Sequence, residues 1–401
     1  MRKLHTEYRQ LANPKQLNRF LDGNGALANR DEIADRFDYD WHARKLIFEP
    51  HFRSHVLLHI TKYTSARDLQ WAMREDPLFE AVGVHIEISV PGLTQANAQR
   101  PLEPYLVMLQ QVMDAVARLP HRRLRRLDKK TWQSIVQLLG RVDLFDATQV
   151  SLPPSLAEWA DTAPEKAAFK IQLRMSANGQ FKRLLVTPAS GNDNPYFEAL
   201  LDLQEGDGYI YVFDAGYFNI DIYHRINDSG NYFATKLHGN IQPVIQRQRP
   251  VPDQPVAGGY VVLEDADVCL GDDTSRWYRI LRVQLTTGKE ITILTNLLLL
   301  SAEQICLLYG YRWTIEIVFR WLKQILQLDH FISKDPQGIM RQVLTALIVY
   351  GLLVLFNQNP SRFSPKQLWR QLQADIHQAI FDLGFQAGLE QGRQQASLQI
   401  T

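Results

Sequence analysis

Four polar residues in the stretch YGYRWTIEIVFRWLK have types and spacing suited to phosphate chemistry: Tyr309, Arg312, Glu316 and Lys323. On an α-helix, which turns about 100° per residue, these side chains fall within roughly 60° of one another. The stripe combines one carboxylate with two cations and a hydroxyl, as expected of a metal ligand beside a phosphate backbone. We therefore predict one helix over residues 309–323. An isolated Arg-x3-Glu pair is, by contrast, typical of an ordinary surface helix.

The opposite face of the same helix is apolar and predicts packing on a core. Its members are Tyr311, Ile315, Val318, Leu322, Ile325 and Leu326. With that face buried, the polar stripe points to a ligand. We expect Arg312 and Lys323 to hold phosphates that border a scissile bond, and Tyr309 to donate a hydrogen bond to one of them.

Two aspartates follow strand-like apolar runs. Residues 142–146 (VDLFD) predict a strand that ends on Asp146, and YIYVFDAGYFN predicts a buried strand that ends on Asp214. Together with Glu316 they make an oxygen-only site, which selects hard cations such as Mg²⁺ or Mn²⁺. Two such ions, about 4 Å apart, activate a nucleophile and stabilise the leaving oxygen in phosphoryl transfer. A single aspartate at a strand end is, taken alone, more often a turn cap.

The bulk composition is that of a soluble globular protein with two or three domains. The chain has 401 residues, 45% of them hydrophobic, and a net charge of +1, so any binding of nucleic acid must come from local patches. Two cysteines exclude a disulfide framework and a cysteine-based zinc site. The N-terminus lacks the apolar segment of a signal peptide. The most apolar run, 343–356, is short for a membrane span and predicts a buried core helix.

Two N-terminal features are candidates for contact with nucleic acid. A turn at Pro91-Gly92 and a following helix capped by Thr94 predict the second helix of a helix-turn-helix, although an ordinary helical hairpin fits equally well. Upstream, Ser65 is expected to cap a helix that Pro77 ends. A basic run downstream indicates either phosphate contact or a solvated face. Its central members are Arg122, Arg123, Arg125 and Arg126.

From Gly140 the pattern becomes mixed α/β. Two alternating runs flank Asn178-Gly179, which is a strong hairpin signal. Then follow a helix over 191–204, the Asp214 strand, a helix, a strand and a β-rich insertion at about 240–300. We predict a helical N-terminal region over 1–135, a catalytic domain over 136–358 and a polar helical tail over 359–401.

These residues resemble a known family. The stretch 309–323 matches, without gap, the Y-x2-R-x3-E-x6-K signature of bacterial insertion-sequence transposases of the fourth family. These are DDE enzymes, named for their three catalytic acids, with an RNase H-like catalytic domain. LFDATQV resembles the family's first-acid motif and YVFDAGYFN its second. YFATKL resembles a strand that carries a basic residue, a role that Lys236 would fill. The N-terminal helices and ISVPGLTQANAQR resemble its DNA-binding region, so the resemblance spans roughly residues 40–360.

The resemblance implies an α/β fold: an RNase H-like core interrupted by the β-rich insertion, an N-terminal α-helical DNA-binding domain and a helical C-terminal tail. Asp146, Asp214 and Glu316 would be the catalytic acids and would hold two Mg²⁺ or Mn²⁺ ions. The family's members act as dimers on double-stranded DNA in the bacterial cytoplasm, at the nucleoid and not at a membrane.

The resemblance also implies cut-and-paste transposition. Water would nick DNA at the element's terminal inverted repeats, and the freed 3′-OH would attack through a hairpin and later join target DNA. A flipped base would stack on an aromatic side chain. Trp277 is our candidate for that stacking, with Trp313 and Trp321 as alternatives. Two other readings remain: a catalytically silent, sequence-specific DNA-binding protein, and a nuclease of the same fold without strand transfer.

Overall fold

One mixed sheet runs through the described part of the chain and carries helices around it. The computed structural model describes residues 14–356, except 62, 120–137, 161–165, 202, 204–207, 257–258, 272, 325–327 and 329. The predicted basic run at residues 122–126 and the predicted tail at 359–401 lie outside the described residues.

The helices and strands, numbered in chain order, have the following bounds. The helices are α1 Pro14–Leu21, α2 Arg30–Arg36, α3 Phe48–Thr61, α4 Ala66–Glu75, α5 Pro77–Ala81, α6 Val90–Gln99, α7 Glu103–Ala117, α8 Phe197–Leu200, α9 Ile220–Asp228, α10 Ala302–Gly310, α11 Trp313–Gln324 and α12 Pro336–Phe356. The strands are β1 Val142–Ser151, β2 Ala168–Ser176, β3 Phe181–Pro188, β4 Ile210–Phe213, β5 Tyr232–Lys236, β6 Pro243–Gln248, β7 Val261–Leu270, β8 Asp273–Gln284 and β9 Glu290–Thr295.

The sheet has nine strands in the order β3-β2-β1-β4-β5-β9-β8-β7-β6. Strands β1, β4 and β5 are parallel, and β2 and β3 continue from β1 as antiparallel neighbours. Strand β9 pairs antiparallel with β5, so the predicted β-rich insertion extends the same sheet. The mixed α/β class predicted from the sequence is therefore confirmed.

The strand that carries Asp146 is longer than predicted. Strand β1 continues to Ser151, because β2 pairs with it all the way from Asp143 to Ser151. Its parallel partner β4 pairs only with residues 142–144. The prediction that the strand ends on Asp146 is wrong. Asp146 lies instead just beyond the parallel pairing, level with the end of β4.

Of two further local predictions, the hairpin is confirmed and the helix is shorter than predicted. The Asn178-Gly179 hairpin is confirmed, and Gly179 adopts the left-handed conformation (φ 94°) that glycine tolerates best. The helix predicted over 191–204 is reduced to a 3₁₀ turn at Asn194–Tyr196 and the single turn of α8 that follows it. Leu201 is already extended there, and residues 204–207 are not described.

The helix caps also differ in outcome. The Ser65 side chain accepts a hydrogen bond from the Asp68 N–H at 3.0 Å, as predicted. Thr94 does not cap α6, because the helix begins earlier, at Val90. Ser89 is the cap and accepts a bond from the Gly92 N–H, while the Thr94 hydroxyl donates back to the Val90 carbonyl at 3.1 Å. Pro91 fits in this first turn, where helix N–H groups have no partner inside the helix.

Helix α12 comes late in the chain but is the helix around which the N-terminal helices pack, since α3, α6 and α7 contact it. It contains the predicted apolar run 343–356 and begins at Pro336, where the Asp335 carboxylate accepts the N–H groups of Gln337 and Gly338. Among the described residues it is the one helix long and apolar enough to cross a membrane, but 89% of that stretch is buried inside the protein. The prediction that this helix is buried in the core is confirmed.

Candidate functional site

The stretch from Tyr309 to Lys323 is not one continuous helix. Helix α10 ends at Gly310, and α11 begins at Trp313. The N–H groups of Arg312, Thr314 and Ile315 all bond to carbonyls three residues back, which makes the turn tighter than an α-helix. A Cβ atom at Gly310 would lie 3.0 Å from the Tyr260 hydroxyl, so the insertion packs against this break.

The polar stripe nevertheless survives the break around Arg312. Its guanidinium carbon lies 5.9 Å from the centre of the Tyr309 ring. Its Nη1 atom lies 2.6 Å from Glu316 Oε1 and 3.8 Å from Asp146 Oδ2. The Arg312 side chain is only 11% exposed, so water screens these ion pairs weakly. Arg312 thus holds a carboxylate from α11 next to a carboxylate from β1.

Asp146 lies in the electrostatic field of both other predicted acids. Burial raises the pKa of its carboxyl to about 7; Arg312 and the Ala147 N–H oppose this shift, and Glu316 and Asp214 add to it. Helix α11 packs on β1, which explains the proximity of Glu316. On its predicted apolar face, Ile315, Val318 and Leu322 are buried, whereas Ile325 and Leu326 lie outside the described residues.

Asp214 follows the last residue of β4 directly. The Gly216 N–H donates to its Oδ1 atom, and the Tyr217 N–H donates to its carbonyl at 3.2 Å. Because β1 and β4 are parallel, the carboxyl end of β4 lies beside Asp146. This edge of the sheet brings together side chains that are far apart in the chain.

The donor chemistry of these three residues suits a hard divalent cation. The three carboxylates supply only oxygen ligands, and burial, with Glu316 and Asp214 nearby, raises the pKa of the Asp146 carboxyl. Within the described ranges, no three acidic, histidine or cysteine side chains lie close enough together to hold a metal ion. The cationic group between Asp146 and Glu316 is the guanidinium of Arg312.

The remaining predicted residues whose side chains are described lie on α11, β5 and β8. Lys323 is on α11 two turns beyond Glu316 and is partly exposed, and Lys236 is exposed at the carboxyl end of β5. Trp313 is 51% exposed, and the Arg312 guanidinium lies 5.8 Å from its ring. Trp277 is 41% exposed on β8. The Trp321 side chain is outside the described residues.

Several polar residues near the acids were missed by reading the sequence. Tyr217 directly follows the turn of Asp214, and its hydroxyl donates to Gln172 Oε1 at 2.7 Å. Gln172 in turn donates to Asp193 at 2.8 Å. The signal was a two-residue alternation on β2, where Lys170, Gln172 and Arg174 share one face.

Comparison with known proteins gives a consistent result. Residues 138–352 match the family model described as the transposase DDE domain. The chain is 28% identical, over 65% of its length and 69% of the relative's, to a Sinorhizobium fredii protein whose name marks it as a candidate transposase. It is 26% identical, over 52% of its own length, to the probable transposase for insertion sequence element IS5377 of Geobacillus stearothermophilus. It is 25% identical, over 59% of its own length, to the transposase for insertion sequence element IS231E of Bacillus thuringiensis. The chain spans 55% and 59% of the last two relatives.

Proposed function

Because this chain belongs to the transposase DDE domain family, it is a DNA transposase, and we propose that Asp146, Asp214 and Glu316 form its active site. Membership in this family implies an enzyme that cuts and joins DNA and depends on a divalent metal ion. The observation that supports the site most strongly is the position of Arg312, within 4 Å of both Asp146 and Glu316.

We assign each side chain a role in binding and orientation. Asp146, Asp214 and Glu316 would hold Mg²⁺ or Mn²⁺, and we propose two ions. When bound, such ions lower the pKa of a water molecule and stabilise the leaving oxygen. Before a cation binds, Arg312 keeps Glu316 turned toward β1. Once Glu316 has a cation as its partner, the Arg312 guanidinium would be available to a phosphate.

The DNA backbone on this edge of the sheet would meet Tyr309, Arg312, Lys323 and Lys236. The base that flips out of the duplex would stack on an aromatic ring beside the acids. Trp313 is a better candidate for this stacking than Trp277, because it is half exposed and in contact with Arg312.

Finer features of the enzyme are part of the same proposal. The strand order β3-β2-β1-β4-β5, in which β2 alone runs antiparallel to the other four strands, supports an RNase H-like catalytic core. We propose that residues 1–135 bind DNA, with Arg122, Arg123, Arg125 and Arg126 on phosphates. The substrate is then the pair of terminal inverted repeats of the element, bridged by a homodimer at the nucleoid, and cut through a hairpin intermediate.

The experiment that tests this proposal measures DNA cleavage in the presence of Mg²⁺ and in the presence of EDTA. Its substrates are supercoiled plasmid and linear DNA that carries the repeats flanking the gene. The wild type is expected to cut at the repeat ends with Mg²⁺ only. Glu316→Gln removes the charge but keeps the shape, and it should lower the cleavage rate by about 10³-fold or more.

The matched control is Glu290→Gln, a half-exposed carboxylate on β9 that pairs with Arg282. It should cut at the rate of the wild type. Cleavage by Glu316→Gln at the wild-type rate would refute the assignment of the site. Cleavage without joined products would indicate a nuclease that does not transfer strands.

A further inference from the structure

A fourth carboxylate, that of Asp193, lies beside Asp214. A Cβ atom at Gly216 would lie 3.2 Å from Asp214 Oδ1 and 3.7 Å from Asp193 Oδ2. The two oxygens therefore face the same small space above a glycine. Asp193 belongs to the loop between β3 and α8, so only the folded chain brings it there.

Asp193 is held by two side chains of β2. The ammonium group of Lys170 donates to Asp193 Oδ1 at 2.9 Å and to the Gly191 carbonyl at 2.9 Å. The Gln172 Nε2 atom donates to the same Oδ1 atom at 2.8 Å. The Lys170 side chain is 17% exposed, so its charge is poorly screened by water.

From Asp193 the hydrogen bonds continue to the turn of Asp214. The Gln172 Oε1 atom accepts the Tyr217 hydroxyl at 2.7 Å, and Tyr217 belongs to the turn that presents Asp214. Gln172 and Tyr217 are both buried. With its nitrogen bound to a carboxylate, the Gln172 amide can point only its oxygen at the tyrosine. The orientation of Tyr217 thus depends on Asp193.

The Lys170 charge has a consequence for metal binding. A cation near acidic ligands repels a divalent metal ion, and a carboxylate bound to that cation cancels the repulsion. The fields of Asp146, Asp193 and Asp214 all reach the Tyr217 hydroxyl, where together with burial they raise its pKa well above the usual value. Asp193 and the candidate ligands therefore act on the same small region.

We propose that Asp193 is a positioning residue of the metal-dependent centre: it neutralises Lys170 and, through Gln172 and Tyr217, fixes the turn that presents Asp214. It thereby raises the affinity of the centre for a divalent cation. This inference rests on the proposed role of Asp214 as a metal ligand.

Titration calorimetry with Mn²⁺ on the full-length protein without DNA tests this proposal. Asp193→Asn should weaken Mn²⁺ binding about 10-fold, as is typical for residues that support metal ligands. Lys170→Gln should bind Mn²⁺ at least as tightly as the wild type. The double variant Asp193→Asn/Lys170→Gln should recover most of the affinity, because the uncompensated cation is gone.

An Asp193→Asn affinity within about twofold of the wild type would overturn the proposal, and so would a loss that the double variant does not recover, since a merely structural role predicts no recovery. Weaker binding by Lys170→Gln overturns it as well, and that variant decides the matter if Asp193→Asn does not fold. Asp214→Asn distinguishes a failure of the proposed ligand assignment from a failure of the inference about Asp193. If it binds Mn²⁺ like the wild type, the ligand assignment itself fails; if it loses binding while Asp193→Asn does not, only the inference about Asp193 fails.

Discussion

Among single residues, Asp146 has the most unusual chemistry in the described part of the site. Asp146 belongs to β1, on which α11 packs, and its Oδ2 atom lies 3.8 Å from the Arg312 guanidinium. Even so, its pKa rises to about 7, because burial and two neighbouring carboxylates outweigh the cation. A metal ion that binds here must therefore displace a proton below neutral pH, as metal binding to protonated ligands generally does.

The raised pKa of Asp146 predicts a pH dependence of folding stability in the metal-free protein. The unfolded chain loses this proton near pH 3.8 and the folded protein near pH 7, so the folded state binds more protons in between. The free energy of unfolding should fall as pH rises through this window, by at most about 1.4 kcal/mol per pH unit. Urea unfolding in EDTA measures it.

The control is Asp146→Asn, whose amide does not titrate. The unfolding free energy of the wild type minus that of the variant should fall as pH rises from about 4 to about 7 and stay constant above. A difference that does not change with pH would mean that Asp146 ionises in the folded protein as freely as in the unfolded chain.

At the scale of helices and strands, α12 joins the N-terminal helices through one buried arginine. The Arg341 guanidinium donates to the carbonyls of Arg100 (2.6 Å), Asn97 (3.2 Å) and Pro101 (3.3 Å), and to the Tyr39 hydroxyl (3.2 Å). Because the carbonyls in the last turn of a helix have no partner within it, Arg341 caps α6 from another helix. It therefore ties the candidate DNA-binding helix to the core.

Replacement of Arg341 by Met should destabilise the protein by about 3 kcal/mol, because it leaves buried carbonyls without donors. Chemical denaturation followed by circular dichroism measures the loss. Arg282→Met on β8 is the matched control, since that side chain is 45% exposed and pairs only with surface glutamates. It should cost no more than about 0.5 kcal/mol. Equal losses in the two variants would contradict the capping role.

For the whole molecule, the net charge of +1 means that DNA binding depends on where the charges lie. We predict that changing Arg122, Arg123, Arg125 and Arg126 together to Gln weakens binding to all DNA sequences alike. Each lost phosphate contact removes about 0.9 from the slope of log K against log salt, so the slope should fall in magnitude by roughly 3 to 4. Filter binding at several salt concentrations measures this slope.

A control variant with the same loss of charge tests whether the effect depends on the position of the arginines or only on the total charge. It changes four surface arginines outside residues 1–135 to Gln, namely Arg183, Arg225, Arg276 and Arg282. This variant should keep most of the slope of the wild type. An equal fall in both variants would show that the basic run has no special contact with phosphate.

The N-terminal helices and the helices around the acids share one hydrophobic core. It extends from Phe20 and Phe52 through Val112 to Ile315 and Leu347. The boundary near residue 135 stays a prediction, and the shared core means that the described residues between 14 and 119 also cover α12. Loss of that region would expose an apolar helix to water, at a cost proportional to the area uncovered.

The sequence by itself determined which three acids and which arginine we propose for the site, and the positions of most strands and helices. These depend on residue types and on periodicity over a few residues, which the chain carries wherever it folds. The Asn178-Gly179 hairpin and the apolar face of α11 followed for the same reason.

Only the tertiary structure decided the features that depend on contacts between distant segments. The helix breaks after Gly310, where Tyr260 from the insertion packs, and β1 runs past Asp146 because β2 offers it partners to Ser151. The pairing of Asp193 with Lys170 beside Asp214 has the same origin. Local propensities are worth at most about 1 kcal/mol per residue, so hydrogen bonds and packing from another part of the chain can override them.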